Sequence, residues 1–285
     1  MKTNKYNYTT IETIQFLSID IVMGTLAVGY MATKILSVSV NYVWWIILPL
    51  ATWVVYSLDH IIDSFKNNEA SVITRHRFHY FHRKKIIIFV ITIGGITLLF
   101  SLLYLDTKII ILGFILSIFI GIYFTILYLF RKRKLALLQK ESFIAIIYTT
   151  GIFMAPLYWY GSLPSFSMIL IVFNIFILAW FEGIMISWFD YDYDIADGHT
   201  SFTVITGKKL TRRFLIIGHM LVEISTIIVL VITPISIVFW ALLITFVMNL
   251  ILGLIIIFPN SFSKNNYYRL IGETVFWLPA LIVFV

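Results

Sequence analysis

Nine stretches of about 20 mostly apolar residues run along the chain, separated by short polar or basic segments. They cover roughly 10–32, 42–64, 84–104, 107–129, 140–160, 165–191, 210–232, 235–258 and 267–285. Twenty apolar residues make a helix long enough to cross a bilayer core. A strand of an outer-membrane barrel is about half that length and alternates polar with apolar. The pattern therefore predicts an all-α integral membrane protein of nine transmembrane helices. The spans use about 180 residues, so residues 1–285 read as a single polytopic domain with no room for a separate soluble one. Pro49, Pro156 and Pro279 fall inside predicted spans, where proline predicts a kink.

Composition agrees. Hydrophobic residues make up 60% of the chain and charged residues 12%, and the mean hydropathy is +0.96. Soluble domains hold about 45–50% apolar and about 25% charged residues. The absence of cysteine excludes disulfides, thiolate metal sites and cysteine nucleophiles. The net charge of +7 sits on residues between the apolar runs, which points to loop charge and not to a nucleic-acid partner. The first segment is too long for a signal-peptide core and contains Asp20, so no cleavable signal is expected.

The basic residues also predict an orientation. With the N-terminus cytoplasmic, all the lysines and arginines except Lys34 and Lys108 fall on the cytoplasmic side. They are Lys2 and Lys5 and the groups around Lys66–Lys85, Arg131–Lys140, Lys208–Arg213 and Lys264–Arg269. Trp44, Trp45 and Trp159 then fall near the outer interface, where aromatic belts form. The expected location is an inner or plasma membrane, spanned several times.

Acidic residues at membrane-helix ends call for a compensating reason, since burying a charge there is costly. Asp59-His-Ile-Ile-Asp63 ends the second span, and Asp190-Tyr-Asp-Tyr-Asp194-Ile-Ala-Asp197-Gly198 ends the sixth. Asp59 and Asp63 share a helical face, as do Asp190, Asp194 and Asp197, while Asp192 points the opposite way. Like charges at this spacing repel, and a helix C-terminus disfavours anions. A bound cation removes both penalties. Carboxylates without thiolates suit Mg²⁺ or Mn²⁺, completed by phosphate oxygens. The flanking lysines and arginines supply partners for phosphate.

These residues resemble the UbiA superfamily of intramembrane prenyltransferases. The Asp190–Ser201 stretch followed by Thr206-Gly207 looks like the family's second aspartate motif. Asp59 and Asp63 fall on the two aspartates of its first motif, NxxxDxxxD. Ser71–Arg77 resembles the arginine-containing tract that follows, and Tyr128–Arg133 through Gln139 resembles the family's Tyr-Pro-x-x-Lys-Arg segment. Two positions depart from the pattern: Val55 stands where the first motif has asparagine, and Leu129 where the third segment has proline. The resemblance implies nine helices around a central cavity open to the cytoplasm. It implies Mg²⁺-dependent transfer of an isoprenoid chain from an allylic prenyl diphosphate to a hydrophobic or aromatic acceptor. By the same resemblance Asp59, Asp63, Asp190 and Asp194 are the catalytic metal carboxylates. Arg75, Lys132 and Arg133 are diphosphate-binding residues, and Asp197 is a further metal- or substrate-side carboxylate.

Other signals are weaker. His76, His79 and His82 form an HxxHxxH run, which in a histidine-box iron oxygenase would be joined by more histidines than the six present. Asp20, Glu182, Glu223 and Glu273 are intramembrane acids that would line an acceptor cavity or a proton path. The alternatives to an enzyme are a catalytically inactive UbiA-like binding or partner protein, kept open by Val55, and a membrane transporter.

Overall fold

Long apolar runs fold as helices because hydrocarbon offers no partner for backbone N–H and C=O groups, so each segment satisfies its own. The computed structural model describes residues 8–67, 74–129, 140–198 and 200–285, and among them every regular element is helical. The elements are α1 (Thr10–Phe16), α2 (Ile19–Ile35), α3 (Trp44–Asn67), α4 (Thr74–Tyr104) and α5 (Thr107–Leu129). There follow α6 (Lys140–Tyr160), α7 (Phe166–Phe189), α8 (Tyr191–Ala196), α9 (Phe202–Thr206) and α10 (Lys208–Ile232). Then come α11 (Ile237–Ile257), α12 (Pro259–Phe262) and α13 (Tyr267–Thr274), which runs into a 3₁₀ segment, Val275–Phe284. Eight of the described helices are long and apolar enough to cross a membrane, counting Lys264–Phe284 as one. The bent pair α1–α2 adds a ninth candidate. The chain is thus an all-α, multi-pass membrane protein.

Two spans differ from the sequence expectation. The first is broken: α1 and α2 meet at 66°. Ser18 sits at the break in the left-handed conformation, with φ 54°. That conformation costs a non-glycine residue energy. Burial of Ser18 and its hydrogen bond to His60 Nε2, at 3.0 Å, hold it there. The second difference is α4, which begins at Thr74, well before the expected start near residue 84. The basic tract 75–85 therefore continues the helix. Phe78 and His79 face inward, and Phe78 packs on Phe16 of α1.

The main core lies among α2, α6, α7, α10, α11 and the C-terminal segment, where Met31, Ile152, Leu178, Leu215 and Leu252 are fully or almost fully buried. A smaller core joins α1, α3 and α4 through Phe16, Ile61, Phe78, Ile86 and Val90. Helices α4 and α5 bury little of themselves and expose Ile88, Ile91, Phe114 and Ile115. In water such a surface would drive aggregation; lipid covers it at no such cost.

Short connections make successive spans antiparallel, so both ends of the bundle are recognisable. At one end Asn41 donates to the Tyr104 carbonyl at 2.7 Å, and Trp159 Nε1 donates to Asp106 at 3.1 Å. Trp44, Trp45 and Trp159 cluster there. The opposite end gathers the C-termini of α3 and α7 with the N-termini of α4, α6, α10 and α13.

Candidate functional site

Asp59 and Asp63 lie on one face of the last turns of α3, each only 6% exposed. Two buried carboxylates one turn apart require a cation, and the fold supplies Lys140, the first residue of α6. Its Nζ lies 2.8 Å from Asp59 Oδ2 and also donates to Asp63 Oδ2. Lys140 stands at a helix N-terminus and the aspartates at a helix C-terminus, so each is disfavoured by its own helix dipole. The ion pair offsets part of both costs.

The neighbouring residue, Glu141, reaches the other acidic stretch. Its Oε1 accepts from the Phe202 backbone N–H at 2.9 Å, at the start of α9. That short helix is otherwise held by Ser201, which caps its N-terminus, and by the Ser187–Thr203 hydroxyl pair at 2.9 Å. The first two residues of α6 therefore tie the first aspartate pair to the segment that follows the second.

Asp190 caps α7 and is 9% exposed. The helix ends at Phe189 and α8 starts at Tyr191, so Asp190 stands at the junction and Asp194 on α8, not on one continuous helix as expected. Asp190 accepts from the Tyr268 hydroxyl and pairs with Arg269, both on α13. The Tyr268 ring stacks on Phe189 with centroids 4.2 Å apart. Arg269 also approaches Glu273 one turn on, at 3.8 Å. Glu273 in turn accepts from Gln15 of α1 at 3.3 Å.

Asp194, half-buried on α8, has its carboxyl pushed up to about 7 by burial. A hydrogen bond from Ser201 opposes the shift, Asp190 and Glu141 add to it, and Lys140 works against it. Asp197 is half-buried at the end of α8 and engaged in interactions of its own. Asp192 turns away to Lys208 at 3.3 Å with its side chain 79% exposed, as the helical spacing predicts.

Arg75, in the first turn of α4, lies within electrostatic reach of both aspartate groups, through Asp59 and Asp190. Burial lowers its pKa from the usual arginine range, and the neighbouring Arg269 guanidinium adds to the shift. Its Nε is buried with no acceptor among the described residues. Lys132, Arg133 and the Ser71–Ile73 part of the first basic tract lie outside the described residues.

The two members of the histidine run whose side chains are described, His79 and His82, engage different partners. His79 Nε2 donates to the Phe16 carbonyl at 2.8 Å, and His82 Nδ1 meets the Phe78 carbonyl of its own helix at 2.9 Å. The His76 side chain is outside the described set. His60 and His79 instead fasten the α1–α2 bend to α3 and α4, with their rings 5.0 Å apart. Among the described residues no three metal-ligating side chains come together.

Of the acids placed inside predicted spans, Asp20, Glu182 and Glu273 lie within electrostatic reach of one another, and Arg269 acts on the two glutamates. Glu223 is elsewhere, beside the buried pair formed by His219 and Asn249, whose Nδ1 and Oδ1 are 2.6 Å apart. Sequence reasoning counted Lys140 and Arg269 only as loop charge, and did not single out Glu141 or Tyr268. A charge in the first turn of an apolar span, as at Lys140-Glu141, is the signal that a distant partner exists. Comparison of the chain with protein-family models, curated proteins and solved structures yields no match.

Proposed function

We propose that the chain is an intramembrane prenyltransferase of the UbiA type. In this reading nine spans surround a cavity open to the cytoplasm, with the N-terminus on that side. It transfers an isoprenoid chain from an allylic prenyl diphosphate to a hydrophobic or aromatic acceptor. One observation carries the reading. Both aspartate groups lie at one end of the bundle, tied together by Lys140 and Glu141 and faced by Arg75. Acids alternating with cations at a membrane boundary suit a diphosphate headgroup whose hydrocarbon tail lies among the helices.

Mg²⁺ or Mn²⁺ is the cofactor the resemblance implies. The donor set is all oxygen, which fits a hard divalent ion. Magnesium characteristically takes one or two protein carboxylates and completes its shell with phosphate oxygens and water. The pair Asp59/Asp63 and the pair Asp190/Asp194 would each supply such carboxylates. When bound, the metal neutralises charge gathering on the departing pyrophosphate.

The remaining work falls to the chain. In the transfer, the allylic C1–O bond breaks and its electron pair leaves with pyrophosphate. The acceptor atom bonds to C1 and then loses a proton. In this reading Arg75, Lys140 and Arg269 hold phosphoryl oxygens and orient the leaving group. The apolar helices exclude water that would otherwise quench the allylic centre. Val55 in place of the motif asparagine favours a second reading, a protein that binds the diphosphate without turning it over.

The test is binding of farnesyl diphosphate to purified protein with magnesium, followed by mass spectrometry of lipid extracts from cells with and without the chain. Binding that survives both Asp63→Ala and Asp194→Ala unchanged would overturn the assignment. Binding with no new prenylated lipid would favour the second reading.

A further inference from the structure

The acidic pair that would receive the metal is already satisfied from within the chain. Lys140 lies against both Asp59 and Asp63, and each carboxylate is buried to within 8% of its side-chain surface. A divalent ion and the ammonium group therefore compete for the same oxygens. Lys140 is the more exposed partner, its side chain 25% exposed. It carries three N–H donors, of which the two aspartates engage two. The third is engaged by neither aspartate. Arg269 holds Asp190 in a similar way. Arg75 lies close to Arg269, and its buried Nε has no acceptor among the described residues. Asp59, Asp190 and Glu273 offset part of the repulsion between the two guanidiniums, and the unused donor adds a cost that an anionic ligand would remove.

We propose that Lys140 is the resident counter-ion of Asp59 and Asp63 and passes to a phosphoryl oxygen when diphosphate binds, so that metal and diphosphate enter this site only together. The inference rests on the prenyltransferase reading and adds a residue and a binding rule to it. Metal alone must break both of Lys140's ion pairs and leave it only the less direct attraction of Glu141 and Asp194. Diphosphate alone meets cations already neutralised by carboxylates. Bound together, the metal takes the carboxylates and the ammonium takes the phosphate, and every charge keeps a partner. By linkage, each ligand must then tighten the other by the same factor.

The experiment uses the full chain in detergent micelles, with Mn²⁺ as an electron paramagnetic resonance probe and inorganic pyrophosphate as the diphosphate probe. Protein-bound Mn²⁺ is separated from its soluble pyrophosphate complex by equilibrium dialysis. In the wild type, pyrophosphate tightens Mn²⁺ binding by about tenfold or more, the scale of one charge-assisted hydrogen bond. In Lys140→Gln, Mn²⁺ binds without pyrophosphate about tenfold more tightly than in the wild type, and the pyrophosphate effect shrinks. Lys140→Arg keeps the charge and keeps the coupling. Equal Mn²⁺ affinity in the wild type with and without pyrophosphate would overturn the proposal with no variant needed. Equal Mn²⁺ affinity in wild type and Lys140→Gln would overturn it as well. Failure of the wild type to bind Mn²⁺ and pyrophosphate in any combination would overturn the prenyltransferase reading itself, and this proposal with it.

Discussion

Replacing Arg269 with methionine tests whether the second aspartate group is held by charge pairing. Asp190 and Arg269 have side chains only 12% and 14% exposed, so solvent screens their interaction weakly. Removing one partner of a buried pair typically costs about 3–5 kcal/mol, because the other charge stays behind unpaired. Asp190 retains the Tyr268 hydroxyl, which places the expected loss near 3 kcal/mol. Methionine keeps most of the aliphatic stem, so the change reports on the charge and not on packing. Asp190→Asn should cost less, since the amide oxygen it introduces still accepts from Tyr268 and Arg269 still approaches Glu273 at 3.8 Å. In the double variant the losses should fall short of additivity by about 1.5 kcal/mol or more. The assay is reversible unfolding in mixed detergent micelles, with helicity read by circular dichroism. An Arg269→Met variant within about 0.5 kcal/mol of wild type, the range of an ordinary surface substitution, would refute the argument.

Other outcomes follow from the same geometry. Asp63→Ala should lower magnesium-dependent farnesyl diphosphate binding by at least about tenfold, measured by calorimetry, since it removes one of the two oxygens shared with Lys140. Asp194, raised to about 7 in the folded chain, binds protons that the unfolded chain has released by about pH 4. Its contribution to stability is therefore complete at low pH and declines as pH rises through about 7. Asp194→Asn should remove that slope from unfolding measured between pH 5 and pH 8, and an unchanged slope would assign the titration elsewhere. Gly218→Ala should destabilise by about 1–3 kcal/mol, because its Cβ would lie 2.7 Å from Phe181 Cε2. Gly95→Ala, where a Cβ meets nothing within 4 Å, should be neutral or slightly stabilising in the same melt.

The membrane class of this protein was legible in its sequence because a span is a local property. Twenty apolar residues cannot dissolve in water, and within lipid they must form a helix whatever surrounds them. The lengths of α5, α6 and α7 follow from that alone. So did the sharing of a face by Asp59 and Asp63, and the outward turn of Asp192, since helical periodicity decides both. The 66° break at Ser18 was not legible, because nothing near serine demands a left-handed backbone. The reason for it is His60, some forty residues away in α3. The early start of α4 was hidden because a basic tract at an interface has the composition of a loop, and it is packing of Phe78 and His79 against α1 and α3 that the composition does not announce.

Charge pairing was hidden for the same kind of reason. The sequence marks Asp59, Asp63 and Asp190 as acids in costly places, and burial cost alone says that each needs a partner. It does not say which of many cations arrives. Lys140 and Arg269 look no different from the other basic residues in number or spacing. They become counter-ions only where the start of α6 meets the end of α3, and where α13 crosses the end of α7. Local hydrophobicity decides which segments enter the membrane, whereas electrostatic partnership depends on distance in space, which only the packed helices establish.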